Sequence, residues 1–164
     1  MTTNNWLAIS AGVTLLLALA AFWAIWQNYS LHKKARKERL LNEIIEWAID
    51  LGKCSFEHEF QPVTDISAEY FLRVSRVNTL ARLNTVRARK EYVTNIAAVF
   101  KQEKALQSAV KEVKQKLENT ITVIGKHIEN KPVPETISDA ETKLYKSIEV
   151  LIEEATKLKT RDIN

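Results

Sequence analysis

Proline, glycine and cysteine are almost missing from this chain: three, three and one in 164 residues. So few Gly and Pro exclude a turn-rich all-β design and leave little material for tight catalytic or phosphate-cradling loops. The single Cys54 excludes an intramolecular disulfide and is consistent with a reducing compartment. No run alternates with a strand period between strand-type turn signals. Paired Cys motifs and a His-Glu-x-x-His zinc helix are also absent. Ser, His and Asp occur without a placement that suggests a triad. The sequence therefore points away from an enzyme and predicts no cofactor and no small-molecule substrate.

The most informative lack is of charge. Trp6 to Trp26, WLAISAGVTLLLALAAFWAIW, runs twenty-one residues without an ionisable side chain. As a helix it extends ~32 Å at ~1.5 Å per residue, enough to cross a hydrocarbon core of ~30 Å. Trp6 marks one end and Trp23, Trp26 and Tyr29 the other, where amphipathic rings favour the membrane–water interface. Ala18-Leu19-Ala20 has the small-x-small form of a signal cleavage site. Against removal, Met1 to Asn5 carry no basic residue, and cutting there leaves Ala21 to Trp26 as an apolar stub. A retained anchor is the expectation.

Lys33, Lys34, Arg36, Lys37 and Arg39 follow the span, against a lone Glu38. The positive-inside rule places the N-terminus outside and the remainder in the cytoplasm. These cations also suit an anionic leaflet, at about 1 kcal/mol of attraction each. Small residues recur at spacing four (Ala8 and Gly12; Ser10, Thr14 and Ala18), a pattern that permits close approach of a second span.

What remains is rich in Ala, Leu, Glu, Lys and Arg, a helical composition. The predicted class is all-α: one transmembrane helix continuing into a cytoplasmic body of helical hairpins, coiled-coil-like in its seams. The predicted order is a short outer tail (1–5), the membrane helix (6–29) and a juxtamembrane amphipathic helix (30–51). A loop (52–66), a long helical segment (67–129), a connector (130–137) and a C-terminal amphipathic helix (138–160) complete it. Leu40, Leu41, Ile44, Ile45, Ala48 and Leu51 carry the first helix forward, with Gly52 as its expected C-cap. The following loop holds Cys54, Glu57, His58 and Glu59. No second cluster completes the three or four ligands a metal needs, so none is predicted.

In the long segment, Ile66, Tyr70, Val74, Val77, Ala81, Ala88, Tyr92 and Val99 fall on one side of a helical wheel. Leu106, Val110, Val113, Leu117, Ile121, Ile124 and Ile128 form a second stripe. Unbroken, the segment gives a long central helix with a hairpin at either end; bent near Phe100 to Lys104, it closes a four-helix bundle. The absence of Gly and Pro there favours the unbroken helix. On that reading Tyr92, Ile96, Val99 and Phe100 have no partner within the chain and become the contact site for a second copy or a partner helix. Pro132 and Pro134 mark the connector, Ser138 to Glu141 matches a capping box, and Leu144, Ile148, Leu151, Ala155 and Leu158 repeat at 4-3-4-3 spacing.

Charge is uneven along the chain. Between Tyr70 and Lys90 lie Arg73, Arg76, Arg82, Arg87, Arg89 and Lys90 with no acidic residue. The functional expectation is a membrane-anchored scaffold or adaptor acting through helix–helix contacts. The alternative is a tethered binder of nucleic acid or another acidic ligand through 73–90, with Arg73, Arg76 and Arg87 clustered on the wheel. Because Arg82 and Arg89 split that patch and no recognised motif accompanies it, nucleic acid is the less favoured partner. No residue motif ties the chain to a family.

Overall fold

The computed structural model describes residues 3–56 and 68–163, with side chains over 12–54 and 72–161. Among them are five helices: α1 (Thr3–Phe56), α2 (Ala68–Arg87), α3 (Lys90–Val99), α4 (Lys104–Ile128) and α5 (Ile137–Ile163). The chain divides into two units, Met1–Arg39 and Leu40–Asn164.

The first unit holds the N-terminal part of α1. From Val13 to Trp26 its large apolar side chains are between 52% and 71% exposed. The helix is long and apolar enough to cross a membrane. Trp23 and Trp26, one turn apart, bring their rings to a 5.4 Å centroid separation. Trp6 lies in the helix, and its side chain is outside the described residues.

The second unit is a compact helical bundle of four legs, because α2 and α3 together make one. Leu41, Ile44, Ala48 and Leu51 of α1 turn inward, as their spacing predicts, with Leu40 and Ile45 partly buried, and Trp47 joins them in the core. Gly52, however, does not end α1. It has no left-handed backbone angle, and the helix continues through it to Phe56. The expected start of the loop at 52 is thereby corrected, and residues 57–67, including Glu57, His58 and Glu59, lie outside the described residues.

The long segment is not one helix. A slight tightening at Ala88–Arg89 separates α2 from α3, with the Arg89 N–H on the Val86 carbonyl at 3.1 Å. The real break is at Phe100–Glu103. Phe100 (φ −87°, ψ 59°) and Glu103 (φ −95°, ψ 72°) adopt angles open to ordinary L-residues, so neither Gly nor Pro is needed. The Phe100 carbonyl accepts the Glu103 N–H at 2.9 Å and the Gln107 Nε2 at 3.0 Å, replacing helical bonds. Exchanging such bonds costs about 1 kcal/mol each, whereas burying an Ile or Phe side chain yields about 1.5–3 kcal/mol. The reversal buries both Ile96 and Phe100, so the bend wins over the unbroken helix.

α4 and α5 make the closest backbone approach over the greatest length. Their pairing is antiparallel: Arg161 meets Glu103 at one end, and Thr120 bonds the Ala140 carbonyl at 3.2 Å towards the other. Thr120 is fully buried, but its hydroxyl also faces the Lys116 carbonyl at 2.9 Å, which removes the penalty of a buried polar group. α4 closes with Asn130 in a left-handed conformation (φ 54°). The Lys131 N–H lies on the Lys126 carbonyl at 2.8 Å, and the Asn130 N–H on the His127 carbonyl at 3.3 Å. Asn tolerates that angle better than most L-residues, and Pro132 cannot continue the helix.

The cap of α5 sits two residues before the expected box. Thr136 Oγ1 accepts the Asp139 N–H at 3.1 Å and donates to the Asp139 carboxylate at 2.7 Å. Ser138 and Glu141 therefore take no part in capping. The seam itself stands as predicted: Leu144, Ile148, Leu151, Ala155 and Leu158 are all buried. Leu151→Ala is expected to destabilise the bundle by about 2–5 kcal/mol. The denaturant midpoint of the full chain in detergent checks this; an unchanged midpoint would mean that α5 is not docked.

Candidate functional site

Tyr92, Ile96, Val99 and Phe100 do not form one surface. Ile96 and Phe100 are 4% and 7% exposed and belong to the core, while Tyr92 and Val99 are 52% and 56% exposed on the other side of α3. The Tyr92 hydroxyl donates to Glu43 Oε2 at 2.5 Å, which ties that ring to α1. The contact stripe expected from the sequence is thus corrected. Half of it is consumed by the bend at Phe100, which supplies the partner within the chain.

The basic stretch is divided as well. Arg87 donates to Glu118 through Nε at 2.9 Å and meets its second oxygen at 2.8 Å, and Lys90 reaches the same carboxylate at 2.5 Å. Arg89 pairs with Asp50 at 3.2 Å. Arg73 is exposed, and Arg76 is half-buried one turn further in. Arg87 is therefore engaged on α4 rather than sharing an open patch with Arg73 and Arg76. Lys33, Lys34, Arg36 and Arg39 of α1 are exposed and Lys37 is half-buried.

Burial raises the Glu118 carboxyl, but the hydrogen bonds and charges of Lys90 and Arg87 outweigh it and hold the group below the usual carboxylate range. A lowered folded value means that its stabilisation is present at neutral pH and is lost as pH falls through that value. Since the side chain is 35% exposed, the effect is about 1 kcal/mol at most. The Tm advantage of wild type over Glu118→Gln should shrink as pH is lowered from about 7 to about 3. An advantage that does not change with pH would mean the ion pairs do not act.

The described residues line two clefts that carry charged side chains. One, of about 340 Å³, lies between α1 and α2 and is lined by Asp50, Lys53, Cys54, Arg82 and Arg89. Burial pushes the half-buried Cys54 thiol up, Arg82 pulls it down and Asp50 raises it, with a net rise. Among the described residues no group of three or more His, Cys, Asp or Glu side chains converges to hold a metal.

The other cleft, of about 200 Å³, lies where α2, α4 and the start of α5 meet. Leu72, Arg76, Thr79, Ile124, Ile137 and Glu141 line it. Glu141 Oε1 is cut off from solvent without a hydrogen-bond partner among the described residues, and burial pushes the carboxyl up. Sequence reasoning assigned Glu141 to the capping box and so missed it. The competing signal was Thr136 followed by Asp139, which satisfies the same helix terminus and leaves Glu141 facing the cleft. Comparison of the chain with protein-family models, with curated proteins and with solved structures gives no match.

Proposed function

We propose that this chain is a single-pass membrane-anchored scaffold or adaptor that presents a helical bundle in the cytoplasm and acts through contacts with other proteins, without catalysis of its own. The observation that carries the reading is the first unit. A helix that leaves Leu15, Leu16, Leu17, Phe22 and Ile25 open along its length has an apolar surface too extensive for water. Lipid is the solvent that fits it, given its length and the aromatic residues at Trp23, Trp26 and Tyr29. The cations from Lys33 to Arg39 support an inside orientation for the body and attraction to anionic lipids. The acidic-ligand alternative is weakened because three of its six cations, Arg87, Arg89 and Lys90, are committed to ion pairs.

Cys54 is a poor topology reporter, being half-buried with a raised pKa. The test therefore uses a Cys54→Ser background carrying either Thr2→Cys or Lys146→Cys. In intact cells a membrane-impermeant maleimide should label Thr2→Cys, and Lys146→Cys only after permeabilisation. Labelling of Lys146→Cys in intact cells reverses the orientation. Recovery of the full chain in the soluble fraction removes the anchor altogether. Salt-sensitive retention on heparin would move the reading towards the acidic-ligand alternative.

A further inference from the structure

The cleft between α2, α4 and α5 has the make-up of a ligand site. Its apolar lining is Leu72, Ile124 and Ile137, and Leu72, in register with the inner residues Thr79 and Leu83 of α2, remains 38% exposed. Two opposite charges line the same space. Glu141 brings a buried carboxylate oxygen that has no donor among the described residues, and Arg76 brings a guanidinium that makes no ion pair among them. Nor do the two pair with each other. An unsatisfied buried acceptor costs about 1–3 kcal/mol, and native proteins seldom retain one without a use. The capping of α5 by Thr136 and Asp139 removes the one local role that Glu141 had.

We propose that this cleft binds a small zwitterion with an apolar side chain, an α-amino acid of leucine or phenylalanine type, its ammonium on Glu141 and its carboxylate on Arg76. The charges select the class. A simple cation satisfies Glu141 but is opposed by Arg76, and a simple anion meets the reverse; only a molecule carrying both signs completes both groups. Leu72, Ile124 and Ile137 supply the apolar contact. The volume selects the size: an apolar cavity of ~150 Å³ already accepts a benzene-sized molecule, and drug-sized ligands occupy ~300 Å³ or more. At about 200 Å³ the cleft suits one side chain and its head group. Nothing in this inference depends on the membrane anchor or on the scaffold reading.

The test is a titration of the full chain in lipid nanodiscs with leucine and phenylalanine, followed by calorimetry or ligand-observed NMR. Two leucine analogues accompany it: 4-methylpentanoate, which lacks the ammonium, and 3-methylbutylamine, which lacks the carboxylate. Wild type should bind the amino acids saturably and each analogue at least about tenfold more weakly. Glu141→Gln and Arg76→Gln should each weaken leucine by a similar factor, and Arg76→Gln should no longer distinguish leucine from the amine. Glu141→Gln should also melt no lower than wild type, which separates lost binding from lost folding. Absence of saturable binding of both amino acids to wild type overturns the proposal. So does N-acetylleucinamide binding as tightly as leucine, because the cleft would then read no charge.

Discussion

Changing Ile96→Ser together with Phe100→Ser should leave the chain without a cooperatively folded bundle. Both side chains are core residues beside Val93 and Ala97, and Phe100 also forms the reversal between α3 and α4. Truncating a buried Ile costs about 2–5 kcal/mol and a buried Phe about 3–5 kcal/mol, before the penalty of placing two hydroxyls in an apolar site. A small domain has about 5–15 kcal/mol in all. The two positions are one turn apart and share neighbours, so their effects will not add independently, but even a partial sum takes most of the stability. Circular dichroism melting of the full chain in detergent should show a low, broad transition. A folded monomer with an unchanged midpoint and weakened self-association would restore these residues as an intermolecular contact site and contradict their burial.

The parts that were legible in the sequence share a cause: they are settled by neighbours three and four residues away. The α5 seam needs only its own 4-3-4-3 spacing, and each of its five apolar positions is buried. The α4 stripe fared nearly as well, with Leu106, Val110, Val113, Leu117 and Ile124 inside and Ile121 and Ile128 at its margin. The uncharged run of α1 is legible for the same reason.

On α2 the apolar side grouped by the wheel is not the buried one. Val74 and Val77 are 40% and 46% exposed, with Ala81 also outside, while Thr79 and Leu83 are buried. The apolar pattern misleads because Thr79 satisfies its own hydroxyl on the Ser75 carbonyl at 3.1 Å and so enters the core at little cost. The break at Phe100 was invisible for another reason. Local propensity favours continuing the helix, and only contacts with residues far along the chain favour stopping. The cleft with Arg76 and Glu141 is the same case in stronger form, since its lining comes from 72–79, 124 and 137–141 and none of those segments announces it alone.

The other large effect is expected at Trp47, a position that the apolar spacing of the first helix did not single out. It is fully buried in the α1 stripe with Ile44, Ala48 and Leu51, and its indole Nε1 donates to the Val86 carbonyl at 3.1 Å. That carbonyl lies in the last turn of α2, where helical partners run out. It also accepts the Arg89 N–H at 3.1 Å. Trp47 therefore does two things: it fills the space between α1 and the rest of the bundle, and it fixes the point at which α2 passes into α3. Trp47→Ala removes both, at about 3–5 kcal/mol for the lost volume and about 1 kcal/mol for the hydrogen bond. Trp47→Phe keeps an aromatic ring but not the donor and should cost about 1–2 kcal/mol. Denaturant titration of the three chains in the same detergent should give midpoints in the order wild type, Trp47→Phe, Trp47→Ala. If Trp47→Phe matches wild type, the Val86 bond contributes nothing. If Trp47→Ala shifts the midpoint by less than about 1 kcal/mol, the α1 stripe is not docked, and a bundle of α2 to α5 holds itself together without it.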